Sequence, residues 1–320
     1  LISNEPRLAE RLEVHSIDAV GHRLFKSHLG QSQIVSKDKV KELLKEAAAE
    51  VGVHKFSLPF LRSEWDQVVD AWQLETWEAY RDVRRLGRKT RLPEKQRALL
   101  WSIFDRLRVR LAAGNLLTDS CMFSRLAAVI AKRKNPLFDF AVVDEAQDIG
   151  VAHLRFISAL GADRPNSLFF AGDLGQRIFQ QPFSWLALGI DIRGRARTLR
   201  VNYRTSHQIR MQADRLLSPE VTDADGNTEE RGNTISVFNG PAPTIRVCDS
   251  LKDERESVSK WIADLGSEGV MPHEFGVFVR SAAEMDRALA AVKEAGLPFK
   301  ILDEKVETTS GYVSISAMHL

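Results

Sequence analysis

The chain has 320 residues, 44% of them hydrophobic and 28% charged, with a formal net charge of +2. That is room for two or three domains with sizeable cores. No apolar run reaches the roughly 18 residues a bilayer demands and no signal-peptide pattern opens the chain, so the reading excludes a membrane span and expects the cytoplasm. Cys121 and Cys248 lie far apart in apolar settings and form no zinc spacing, which suits reduced core residues.

The first stretch, LISNEPRLAERLEVHSIDAVGHRLF, lacks an initiator methionine and leads into an amphipathic helix after His15-Ser16, where Ser16 suits a helix cap. Residues 36–114 read as mostly helical. Trp65, Val68, Val69 and Trp72 fall at i, i+3, i+4 and i+7, one face of a helix. Between Arg81 and Arg97 eight basic residues stand against two acidic ones, with Arg106, Arg108, Arg110 and Lys132 to Lys134 beyond. Such a segment fits two roles, a phosphate-neutralising patch or a solvated helix face. Its interleaved tryptophans likewise fit either base stacking or a core.

From Leu116 the pattern becomes α/β. A helix over Met122–Ala131 precedes the apolar, β-branched run Phe140–Val143, a buried strand that ends in Asp144-Glu145-Ala-Gln-Asp148. Carboxylates at the carboxyl end of a strand sit where open parallel sheets place ligands. There Asp144 can hold Mg²⁺, usually through water, and Glu145 can orient and deprotonate a water attacking a phosphate. A helix over Ala152–Leu160 follows, then a strand over Ser167–Ala171 running into Gly172-Asp173-Leu-Gly-Gln176-Arg-Ile-Phe179. A linker at Gly189–Arg197 leads to Asn202-Tyr203-Arg204-Thr205-Ser206 and a helix over Gln208–Leu217, which Thr205 or Ser206 would cap. Residues 218–240 read as a polar loop or hairpin. Beyond it strands at Pro243–Cys248, Phe275–Val279, Pro298–Leu302 and from Tyr312 alternate with helices over Glu254–Leu265 and Ala283–Ala295, a parallel α/β pattern.

The blocks DEAQD, GDLGQRIF and NYRTS, in this order and each at a strand end, resemble those of superfamily 1 DNA helicases of the UvrD/Rep-like branch. The resemblance covers nearly the whole chain. It implies two RecA-like parallel-sheet domains of the P-loop NTPase type: a first, partial one over 1–35 and 115–195, a helical insertion over 36–114, and a second over 196–320. The P-loop itself, Gly-x-x-x-x-Gly-Lys-Ser/Thr, is missing. Leu86-Gly87-Arg88-Lys89-Thr90 lacks the first glycine and splits Gly from Lys. The resemblance therefore implies an internal fragment without its Walker A strand and without the family's last blocks, itself inactive as an ATPase.

By the same resemblance the parent is an ATP- and Mg²⁺-dependent helicase or translocase, 3′ to 5′ on single-stranded DNA or DNA junctions, with DNA-repair or nuclease proteins as partners. Gln176 would read the terminal phosphate and Asp173 would help order the metal. Tyr203 would stack on adenine and Arg204 would contact the γ-phosphate. His15, Phe179, Arg280 and His319 match positions that touch DNA. Gln180-Gln181-Pro182 departs from the Arg-Trp-Arg usual after the glutamine block, leaving Phe183 or Trp185 as substitute stackers or as packing residues. The alternative reading is a DNA-binding module or a subunit of a helicase-nuclease complex.

Overall fold

The computed structural model describes residues 10–86, 91–161, 164–176, 182–216, 218, 220–230, 234–302 and 307–318. The chain divides into two compact units, Leu1–Gly240 and Pro241–Leu320.

The first unit holds two hydrophobic cores. One is built almost entirely from helices. Helix α1 (Ile17–Leu29) precedes it, capped by Ser16, whose Oγ accepts from Ala19 N at 3.2 Å. The short strand β1 (Gln33–Ile34) follows, and Ser36 then caps α2 (Lys37–Val51), which buries Val40, Leu43, Leu44, Ala47 and Ala48 at helical spacing. Helix α3 (Leu58–Glu64) runs into a π-helical turn, Trp65–Asp70. Trp65, Val68 and Val69 do share a buried face, but the widened turn rotates Ala71 and Trp72 into the second core. Helix α4 (Trp77–Asp82) and the long α5 (Glu94–Ala113) complete the first core through Tyr80, Leu100, Ile103, Phe104 and Leu107.

The tertiary contacts show what several arginines of the basic region do. Arg110 of α5 pairs with Glu46 and Glu50 of α2, Arg108 donates to the Glu75 carbonyl, and Arg97 to the carbonyls of Tyr80 and Arg81. Arg85 is buried against Glu64. These arginines stitch helices together, and Trp65 and Trp101 belong to the core or its margin.

The second core forms where β2 (Leu116–Leu117) pairs parallel with β1 and leads into α6 (Asp119–Ile130), capped by Thr118. Strands β3 (Ala141–Val143) and β4 (Leu168–Phe170) pair in parallel, with Ala141 opposite Leu168 and Val143 opposite Phe170. They flank α7 (Val151–Gly161), and one face of the pair packs against α6 and α7. Strand β5 (Val201–Asn202) leads through α8 (His207–Asp214) to the antiparallel hairpin β6 (Glu220–Thr222) and β7 (Thr228–Glu230), and to β8 (Ile235–Ser236), parallel to β5.

In the second unit β9 (Gly276–Val279), β10 (Phe299–Ile301) and β11 (Val313–Ala317) form a parallel sheet in the order β10-β11-β9. Helices α9 (Leu251–Ser267) and α10 (Met285–Glu294) cover it through Ile262, Ala288 and Val292.

This architecture corrects the expected fold class. Among the described residues, helices hold about 49% and the sheets have two or three strands, so the protein is mostly helical and not built of two RecA-like parallel-sheet domains. Apolar runs were read as strands buried on both faces, but Val142 and Phe169 expose their side chains on the face away from α6 and α7. Residues 243–248 alternate as a strand would, yet form no ladder, and Ile245 and Val247 are exposed. Period-2 alternation specifies an extended chain but does not supply a partner strand. No helix among the described residues is long and apolar enough to cross a membrane.

Asp70 closes the π turn with its side chain half-buried. Thr118 Oγ1 and Gln73 Nε2 donate to its Oδ1 at 2.6 and 3.0 Å. Burial pushes its carboxyl up from 3.8 to about 6, with Asp66 adding to the rise and the hydrogen bonds from Thr118, Ser120 and Gln73 opposing it. The folded state therefore holds the proton more tightly than the unfolded chain. Its stabilisation is full below the unfolded value and is lost as pH rises through about 6. Between those pH values wild type should lose up to about 3 kcal/mol relative to Asp70→Asn. Paired denaturant melts across the window check this, and a pH-independent difference between the two proteins refutes it.

Candidate active site at the ends of β3 and β4

The ladder between β3 and β4 continues past the strands. Ala171 N donates to Val143 O and Ala146 N to Ala171 O, each at 2.8 Å. This brings the acidic block after β3 alongside the Gly-Asp block after β4. Glu145 adopts a left-handed conformation, φ 50° and ψ 42°, that turns the chain off the strand. A non-glycine residue there costs on the order of 1 kcal/mol or more.

Asp144 Oδ1 accepts from Glu145 N at 2.9 Å, and both residues are exposed. Gln147 is 4% exposed and bridges the two blocks. Its Nε2 donates to Glu145 Oε2 at 2.6 Å while its Oε1 accepts from Asp173 N at 3.0 Å. Asp173 in turn accepts from Gly175 N at 2.8 Å and from Gln176 Nε2 at 2.9 Å. One chain of hydrogen bonds thus runs from Glu145 through Gln147 and Asp173 to Gln176, and each side chain in it is oriented by the next. Burial first, and the neighbouring Glu145 second, raise the Asp148 carboxyl above its ordinary value.

Gly172 makes the close approach possible. A Cβ there would lie 2.6 Å from Gln147 Oε1 and 3.1 Å from Ala146 N. Gly172→Ala should therefore break the Gln147 bridge and cost about 1 to 3 kcal/mol through overpacking. A thermal melt indistinguishable from wild type would contradict this.

Among the described residues no group of His, Cys, Asp and Glu converges as an all-protein metal cage. Mg²⁺ is usually held by one or two carboxylates together with water and substrate phosphates rather than by such a cage. Asp144 stands exposed at the strand end for such a role, while both oxygens of Asp173 already shape the turn that carries Gln176.

Tyr203 and Arg204 follow β5. Asn202 Oδ1 accepts from Arg204 N and Thr205 N at 2.9 and 3.0 Å, a tight side-chain turn, and Ser206 caps α8. Tyr203 and Arg204 are exposed, and among the described residues no hydrogen bond or ion pair joins them to the Glu145 group. His15 is also exposed, with Nε2 3.5 Å from a Glu13 carboxylate that already holds Arg23. Arg280 is exposed just past β9 in the second unit. Phe179, His319 and residues 87–90 lie outside the described residues. The substitute stackers are packing residues: Phe183 is buried and edge-on to Trp72, and Trp185 is edge-on to Phe170.

A cavity of about 350 Å³ lies between the π turn and the starts of α6 and α7, and its wall includes none of Asp144, Glu145, Asp173 or Gln176. Sequence reasoning passed over Gln147. Its signal was a polar amide between acids in a block otherwise read only for its carboxylates.

Compared with known protein families the chain matches no family model, and no curated protein is similar enough to count as a relative.

Proposed function

We propose that this chain carries the hydrolytic carboxylates of an ATP-driven motor that moves 3′ to 5′ on single-stranded DNA in the cytoplasm. The observation that supports the reading most is the hydrogen-bonded chain from Glu145 to Gln176 at one end of β3 and β4. It ties a base able to activate water to an amide able to contact phosphate, although the two lie far apart in sequence.

In this reading Glu145 orients and deprotonates the attacking water, and Gln147 fixes its carboxylate by holding Oε2. Gln176 donates to the terminal phosphate and Asp173 sets its direction. Mg²⁺, bound beside Asp144, would neutralise charge on the phosphates. Tyr203 stacks on adenine, and Arg204 stabilises the charge that develops during transfer. His15, Phe179, Arg280 and His319 contact the DNA. Because the sequence contains no P-loop, residues 1–320 alone should bind ATP weakly and turn it over negligibly.

The test is ATP hydrolysis by a polypeptide that carries a P-loop together with residues 1–320, measured with and without single-stranded DNA. Stimulation by DNA that Glu145→Gln and Arg204→Ala abolish supports the motor. DNA binding with no stimulated hydrolysis would replace it with a binding module. Robust turnover by residues 1–320 alone, lost in Glu145→Gln, would refute the dependence on a P-loop.

A further inference from the structure

The hairpin that follows α8 reaches back to the candidate active site. Its tip is a tightly built loop: Asp223 Oδ1 accepts from Asp225 N at 2.9 Å and from Asn227 N at 2.8 Å, and its Oδ2 accepts from Asn227 Nδ2 at 2.8 Å. Gly226 supplies the positive φ of 83° that this turn requires. The loop presents Asp225 outward, away from its own backbone.

Asp225 then serves as a cap for another segment. Ser184 Oγ donates to its Oδ1, while Trp185 N and Leu186 N donate to Oδ2 at 2.7 and 3.1 Å. These charge-assisted bonds hold the start of the short 3₁₀ turn Leu186–Leu188. Along the same hairpin, β6 lies against the turn Leu174–Gln176. The hairpin's first strand therefore runs beside the turn that carries Gln176, and its tip pins the chain a few residues further on. The other end of the connection starts at Asn202-Tyr203-Arg204, since α8 links that motif directly to β6.

We propose that the hairpin β6–β7 is a strap that positions Gln176, with Asp225 as its fastening and as a positioning residue for the reaction. The inference rests on the reading of Gln176 as the group that contacts the terminal phosphate. In the chain, α8 and the hairpin follow directly on the Tyr203-Arg204 motif. With Asp225 released, the 3₁₀ turn loses its cap, and the Gln176 turn loses the neighbour that backs it.

Two measurements test this. The first is hydrogen exchange on residues 1–320, which needs no catalytic activity. Asp225→Ala should speed exchange both at 184–186 and at 174–176, while Asp225→Asn, which keeps an oxygen acceptor, should restore most of the protection. Faster exchange at 184–186 alone would overturn the strap. The second is a double-mutant cycle in the P-loop-bearing polypeptide. Asp225→Ala should lower kcat about tenfold to a hundredfold with KM for ATP within about twofold, and should add no further loss in a Gln176→Ala background. Additive losses would show that Asp225 acts on stability in general and would overturn the positioning role. If the wild type hydrolyses no ATP, the motor reading fails and the exchange measurement alone decides whether the strap exists.

Discussion

Glu145→Gln is expected to lower DNA-stimulated ATP hydrolysis by about 10² to 10⁴-fold, the range a positioned general base contributes. The side chain has one oxygen, Oε2, held by Gln147, and the exposed residue leaves the other open to water. A glutamine keeps the shape and can still accept from Gln147 through its amide oxygen, but it cannot take a proton. Nucleotide affinity and thermal stability should therefore hold while turnover collapses. Arg204→Ala should cost a comparable or larger factor, about 10³ to 10⁵-fold, because an arginine acts only as charge develops on the transferred group. Its exposure, with no side-chain partner among the described residues, predicts an unchanged melt. Retained hydrolysis in either variant would remove that residue from the chemistry.

Arg85→Met should be the most destabilising substitution in the helical core, at about 3 to 5 kcal/mol. Glu64 is fully buried, and Arg85 meets it with Nε on Oε1 at 2.7 Å and Nη2 on Oε2 at 2.6 Å. Tyr80 completes the group, its hydroxyl donating to Oε1 at 3.0 Å, and burial together with Glu64 raises the phenol's ionisation well above its ordinary range. Removing the arginine takes the bidentate ion pair from a buried carboxylate. The deficit should shrink as pH falls, since a buried carboxylate that has lost this arginine takes up a proton more readily. Converting both partners, Glu64→Leu with Arg85→Met, should recover much of the loss, because an apolar pair of similar volume carries no desolvation cost. Urea titrations of the single and double variants separate these effects. A double variant no more stable than Arg85→Met would show that the pair contributes net stability.

Much of the local structure was legible because its causes are local. Ser16 and Ser206 announce the helices they cap, and the helix expected over Ala152–Leu160 lies within α7. The sheets were legible only in part: the strands at 276–279, 299–301 and 313–317 form the parallel set that their alternation with helices suggested. A stretch such as 243–248 looks like a strand, but whether a partner lies beside it is a tertiary fact. The ties made by Arg110 are hidden for the same reason: Glu46 and Glu50, which it meets, lie on a different helix. At the candidate site the carboxylates could be picked out by type and position. The bridge through Gln147 could not, since it joins two blocks 26 residues apart and depends on the absence of a side chain at Gly172.

The left-handed turn at Glu145 sets foldability against chemistry at a single position. Glycine would occupy φ 50° without strain and ease folding there, yet it would carry no carboxylate to the water. Under the proposed function, selection or screening for thermostability alone would thus tend to drift toward glycine at this residue and remove the proposed base, so a stabilised variant has to be chosen with turnover in the assay.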